Sequence, residues 1–136
     1  MKVFFSYAQS DRKKAEELAS RLKKSGHDVW DPAEAMLPGE NWALRIGQAL
    51  QDCNAMVFLL SPDSVKSEWA RKELEYALGS EQYRGRLIPV EVKRTSDVPW
   101  ILKRLQIVRW GDNAAQVGRQ VAEYLKHGLE LRPSKS

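Results

Sequence analysis

Cysteine is almost missing: Cys53 is the only one in 136 residues. A lone thiol forms no intrachain disulfide, so the expected compartment is a reducing one. Histidine is nearly as scarce, with His27 and His127 alone. These three residues cannot build a metal cluster, so no metal is expected, and Cys53 reads as a small core residue. No apolar run is long enough to cross a bilayer, and M-K-V-F-F at the start is too short for a signal peptide. The expected location is the cytoplasm, without a membrane partner. Neither G-x-x-x-x-G-K-S/T nor G-x-G-x-x-G occurs, which argues against P-loop nucleotide hydrolysis and Rossmann-type hydride transfer. Both histidines sit at predicted helix ends, so no Ser-His-Asp set is credible. A dominant charge sign is lacking too. The net charge is +4, and the sequence pI is 9.3. The basic run Arg12-Lys13-Lys14 and the pair Lys23-Lys24 share their segment with Asp11, Glu16 and Glu17. That pattern is a solvated helix face rather than a nucleic-acid surface.

What is present is an alternation of short apolar runs with amphipathic segments, and a length that suits one domain. Strands are expected at 2–7, 28–30, 55–60, 86–92 and 106–110. The run A-M-V-F-L-L at 55–60 is apolar throughout, as a strand buried on both faces should be. Pro89 within 86–92 is a signal for an edge or a bulge. A first helix is capped by Ser10 or Asp11, buries Ala15, Leu18, Ala19 and Leu22, and stops at Gly26. Residues 31–39, D-P-A-E-A-M-L-P-G, read as a loop. Trp42, Ile46, Ala49, Leu50 and Cys53 mark a second helix at 3.6-residue spacing. Ser61-Pro62 opens a third, with a short first turn and a restart near Ser67. Ala114, Val117, Val121, Tyr124 and Leu125 mark the last. The domain is expected over 1–126, and 127–136 as a polar tail or linker.

This order predicts an α/β, flavodoxin-like, five-stranded parallel sheet of order 2-1-3-4-5 with helices on both faces. Ligands of such sheets sit at the carboxyl ends of the strands, near the switch between strands 1 and 3. Residues 6–9, 31–39 and 61–67 belong there. Response-regulator receiver domains share this strand order. They need an acidic pair after strand 1 and an Asp ending strand 3, where this chain has Ser6-Tyr7 and Leu60-Ser61.

One charge stands out in S-E-W-A-R-K-E-L-E-Y-A-L at 67–78. On a helical wheel Val65, Trp69 and Tyr76 form one apolar arc, and Ala70, Leu74, Ala77 and Leu78 an adjoining one. Glu68, Arg71, Lys72 and Glu75 gather opposite. Glu73 falls between the apolar arcs, and its neighbours one turn away are Trp69, Ala70, Tyr76 and Ala77, none of them cationic. Taken alone, it reads as a boundary residue reaching solvent or a backbone N–H, or as a functional carboxylate. Trp30 and Trp42 read as packing residues.

Three stretches together resemble a TIR (Toll/interleukin-1 receptor) domain of the bacterial type: F-F-S-Y at 4–7, L-P-G-E-N-W at 37–42 and L-S-P-D-S-V-K-S-E-W-A-R-K-E-L at 60–74. L-I-P-V at 87–90 is similar to the fourth strand of that family and answers the objection to Pro89. The resemblance runs from about residue 1 to 126. It implies one of two roles. The first is cleavage of NAD at the nicotinamide–ribose bond, giving nicotinamide with ADP-ribose or a cyclic product, in bacterial immune signalling or cell-death defence. NAD is then a substrate, and no cofactor is expected. The second is a non-enzymatic module that pairs with other TIR domains in signalling or host interference. For the first role the resemblance implies Glu73 as catalytic and Ser6, Tyr7, Ala8, Asp31 and Trp69 as substrate-binding. It places Glu34, Leu37, Pro38 and Gly39 in the BB loop, where subunits dock. Self-association is expected in either case, with a sensor or effector as a further partner and nucleic acid not expected.

Overall fold

The structure, a computed structural model, describes residues 1–111 and 113–127. Five strands form one sheet: β1 (Lys2–Ser6), β2 (Asp28–Trp30), β3 (Ala55–Leu60), β4 (Leu87–Glu91) and β5 (Val108–Arg109). The order is β2-β1-β3-β4-β5, and each pairing is parallel. This is the arrangement expected from the alternation of segments. All six residues of β3 are buried, which explains why that strand is apolar at every position.

Five helices cover the sheet: α1 (Arg12–Lys24), α2 (Pro32–Ala35), α3 (Trp42–Asp52), α4 (Glu68–Leu78) and α5 (Ala114–His127). α1 packs on α5, and α3 packs on α4 beside β1. α1 buries Ala15, Leu18, Ala19 and Leu22, the stripe that its spacing predicts. Its end is fixed by Gly26 at φ +93°, where the His27 N–H reaches Leu22 O at 3.1 Å. Expected tail residues 128–136 lie outside the described residues.

Pro89 sits inside the sheet rather than at an edge. Met56 N–H donates to Arg86 O, and Val92 N–H donates to Leu60 O. Even-numbered residues of β4 therefore turn their backbone groups toward β3, and Pro89 turns its donorless nitrogen the other way. On that side the β5 pairing begins only at Val90. The proline costs no ladder bond there.

Local chemistry departs from the sequence reading at three places. Residues 31–39 are not all loop: Asp31 accepts from Ala33 N–H at 3.0 Å and caps α2, with Pro32 at its first position. Neither Ser10 nor Asp11 caps α1 with its side chain. Both reach across to the loop after β3, Ser10 to Asp63 and Asp11 to Ser61, each at 2.5 Å. Trp42 is not a packing residue; it is 52% exposed. α3 buries Ile46, Ala49 and Leu50, and its first turn carries Trp42 beyond them. Trp30 does pack, stacked on Phe4 with ring centroids 4.9 Å apart, and Cys53 is buried as a core residue.

Candidate functional site

The carboxyl end of β1 builds the site by alternation. Successive side chains of a strand point to opposite faces. Ser6, fully buried, turns toward α4. Tyr7 turns the other way and donates its hydroxyl proton to Asp31 Oδ1. The predicted residues thus separate into two pairs on either side of one strand end, Ser6 with Glu73 and Tyr7 with Asp31. Ala8 is buried beside them in extended conformation.

Glu73 reaches its place because α4 starts late. Ser61 Oγ accepts from Ser64 N–H at the start of a single 3-10 turn, Ser64–Lys66. Ser67 then caps α4 by accepting from Ala70 N–H at 3.2 Å. The short first turn and restart match expectation. From this start α4 buries Ala70, Glu73, Leu74 and Ala77. Ser6 Oγ donates to Glu73 Oε1 at 2.7 Å. No lysine or arginine pairs with Glu73 among the described residues. Burial pushes the carboxyl up to about 7, against the opposing pull of the Ser6 hydroxyl. Glu75, two residues on, is exposed surface.

The wheel's arc of Trp69 and Tyr76 faces outward, while the adjoining arc is buried at Ala70, Leu74 and Ala77. Trp69 is 46% exposed, and Tyr76 and Leu78 are also exposed. Lys72 Nζ lies 5.8 Å from the Trp69 ring centroid. A buried carboxylate without an ion-pair partner among the described residues therefore stands one turn from a half-exposed indole, whose ring lies beside the mobile-stemmed Lys72 ammonium. This pairing can receive a substrate that brings positive charge of its own.

Asp31 is equally buried. Its Oδ1 carries both Tyr7 and the α2 cap, and its Oδ2 is buried without a partner among the described residues. Burial and the Asp31 carboxylate push the Tyr7 phenol well above its ordinary range, so it stays a donor. Beyond Asp31, Glu34 on α2 pairs with Lys23 of α1 at 3.1 Å. Leu37, Pro38 and Gly39 are exposed at the turn that follows. Gly39 has φ +86°, as the third residue of a type II turn requires, and Glu40 N–H closes the turn on Leu37 O. Arg45 ties this loop to the sheet edge, 5.5 Å over the Trp30 ring and 3.8 Å from Glu40.

The sequence reading missed Asp11 and Ser61. Both are buried at the switch between β1 and β3, and Ser61 Oγ donates to Asp11 Oδ2. Their sequence signal, an S/D cap before each helix, pointed to capping instead. No group of three His, Cys, Asp or Glu among the described residues is placed to hold a metal ion.

The TIR domain profile matches residues 3–125. A 2′ cyclic ADP-D-ribose synthase of Bacteroides thetaiotaomicron is 28% identical over 96 residues, covering 69% of this chain. The chain spans about a third of that relative's length, with 33% of it aligned. Among solved structures, the TIR domain of the Toll-related receptor TRR-2 of Hydra magnipapillata superposes with a TM-score of 0.76 at 24% identity. It covers 91% of this chain and 97% of its own. A metazoan TIR-STING receptor from C. gigas superposes with a TM-score of 0.77 at 21% identity, over 90% of this chain and 38% of its own. The strand order, the sequence stretches on the sheet's carboxyl edge and the match over nearly the whole length agree: the chain belongs to the TIR domain family.

Proposed function

We propose that this domain cleaves NAD at the nicotinamide–ribose bond, with Glu73 as the catalytic carboxylate. The observation that carries the reading is a buried glutamate that no cation neutralises, one turn from an exposed tryptophan. The curated relative supports it through its name, a synthase of a cyclic ADP-ribose.

The chemistry asks for little else. Most glycosidases need a second carboxyl group to protonate the leaving oxygen. Nicotinamide leaves a pyridinium as a neutral ring, so no general acid is required. Positive charge develops on the ribose, and a fixed carboxylate in a dry setting stabilises it. Trp69 supplies an aromatic face for the pyridinium. Tyr7, Ala8 and Asp31 bound the ribose and adenylate side, with the unpaired Asp31 Oδ2 as an acceptor for a hydroxyl. Water as acceptor gives ADP-ribose, and an internal hydroxyl or adenine nitrogen gives a cyclic product. Glu73 is only 5% exposed, so substrate entry requires local displacement of the side chains that cover it. Assembly through the loop of Leu37, Pro38 and Gly39 would supply it. The reading places the protein in the cytoplasm, in an immune or cell-death response, with a sensor or effector as partner.

A second reading, a non-enzymatic pairing module, has its own observation. Leu37, Trp42 and Leu44 are all more than half exposed around one loop, an apolar surface suited to a partner. The two readings part on one experiment. Concentrated or tethered wild type and Glu73→Gln are incubated with NAD, and nicotinamide and all ribose products are measured. Nicotinamide release by wild type alone is the expected result. Inactive wild type in the assembled state, or an equally active variant, would leave the pairing module.

A further inference from the structure

We propose that the cleft between α1 and α5, at the amino end of the sheet, binds a small polyphosphate anion. It lies at the opposite end of the strands from Glu73 and is independent of the reaction proposed there. The cleft has a volume of about 760 Å³, within the usual range of small-molecule sites. Arg21, Lys24, Arg119 and Lys126 line it against a single acid, Glu123. None of the four cations has an ion-pair partner among the described residues, while Glu123 is held by His127 at 3.1 Å. Four of the chain's 22 lysines and arginines are thus gathered by the fold onto one concave surface.

Three details set this cleft apart from a solvated helix face. Cations in the last turns of α1 and α5 complement the helix dipoles. Arg119 lies well inside α5, where the dipole asks for no charge. Gly118, beside it, is a costly residue for a helix interior, by about 1 kcal/mol against alanine. A Cβ there would stand 3.1 Å from Cβ and Cδ of Arg21. The glycine lets the Arg21 stem lie across α5 and carry its guanidinium into the cleft. Last, His27 lines the same space, with Nδ1 buried and without a partner among the described residues. Burial, and after it the Met1 ammonium, lower the imidazole pKa, and a polyanion in the cleft would offset both by favouring the imidazolium. Two guanidinium groups beside two ammonium groups suit consecutive phosphates, since each fork takes two oxygens of one phosphate.

The test is calorimetric titration of the full chain with inorganic tripolyphosphate and, in parallel, with adenosine triphosphate. One anion should bind per chain, more weakly as ionic strength rises. Equal affinities mean that the phosphate chain alone is recognised; tighter binding of the nucleotide means that the base also contributes. Arg21→Gln combined with Arg119→Gln should weaken binding by at least about tenfold. Lys24→Gln combined with Lys126→Gln, at exposed positions, tests the same surface if the first pair unfolds. Glu73→Gln should bind as wild type does, which separates this site from the proposed reaction. Absence of saturable binding to wild type, full affinity in a folded double variant, or loss of binding in Glu73→Gln would each overturn the proposal.

Discussion

Ser6 Oγ donates to Glu73 Oε1 at 2.7 Å, and this bond joins β1 to α4 at a buried carboxylate without an ion-pair partner among the described residues. Burial holds the Glu73 carboxyl at about 7, and the Ser6 hydroxyl pulls against it by favouring the anion. Tyr83 and Cys53, the other titratable groups buried near α4, stay protonated through this range: burial holds Cys53 at about 11 and Tyr83 higher. If the carboxylate form carries the reaction, nicotinamide release should rise with pH, with a midpoint near about 7. Ser6→Ala removes the stabilising donor, so the midpoint should move upward. The pH profile of kcat/KM reads this directly, and an unmoved midpoint would deny Ser6 any hold on Glu73.

The same group should cost stability. Its folded pKa, about 7, lies above the ordinary glutamate value of 4.5. The folded state therefore binds the proton more tightly than the unfolded chain. Its contribution is most favourable below the unfolded value and is lost as pH rises through the folded one. The full difference is on the order of 3 kcal/mol, as an upper bound. Glu73→Gln keeps an acceptor for Ser6 and removes the charge. Chemical denaturation should find it more stable than wild type at about pH 8, with a much smaller gain at about pH 5. A gain that is equal at both values would mean that Glu73 is not the titrating group.

The sheet was legible because each element had a physical signature of its own. Six apolar residues at 55–60 demanded burial on both faces, and Gly26 marked the stop of α1. Glu73 was legible as an anomaly because a helix wheel places it by geometry alone. The wheel drew two apolar arcs but did not say which one is core. Only tertiary packing makes Ala70, Leu74 and Ala77 core while Trp69 and Tyr76 face outward. Asp11 and Ser61 were unreadable for a related reason. Their residue types signal capping, a local role, yet Asp11 caps nothing, and Ser61 Oγ, besides accepting from Ser64 N–H, donates to Asp11 50 positions away. Trp42 misled because periodicity says which face a residue shares, not where along the helix the core ends.

Tyr7 and Asp31 make a second buried pair with a different vulnerability. Asp31 Oδ1 depends on the Tyr7 hydroxyl and on Ala33 N–H, and Oδ2 is buried without a partner among the described residues. Tyr7→Phe deletes one donor and leaves the carboxylate more poorly solvated. A loss of about 1–3 kcal/mol is expected, as for a buried acceptor left short of partners. Tyr7→Phe with Asp31→Asn should recover part of it, because a neutral amide is cheaper to bury than a charge. Denaturant titration of the two singles and the double measures the coupling. Strict additivity would show that the pair does not act as one unit.

Gly39 offers a test of the proposed docking loop that leaves the core untouched. Its φ of +86° lies in the region that L side chains rarely adopt, and a Cβ there would meet nothing within 4 Å. Gly39→Ala therefore acts through backbone conformation alone. The strain is about 1 kcal/mol, and it falls on an exposed turn. That turn is closed by Glu40 N–H on Leu37 O, and Glu40 Oε1 accepts from Leu37 N–H. Relief of the strain should open the turn and displace Leu37, while the sheet and the Ser6–Glu73 bond stay as they are. Sedimentation should show weaker self-association at unchanged secondary structure. If the proposed reaction needs assembly, nicotinamide release should fall with it at low protein concentration and recover when the chains are tethered. Full association by a Gly39→Ala chain of native fold would remove this loop from the interface, whichever role the domain performs.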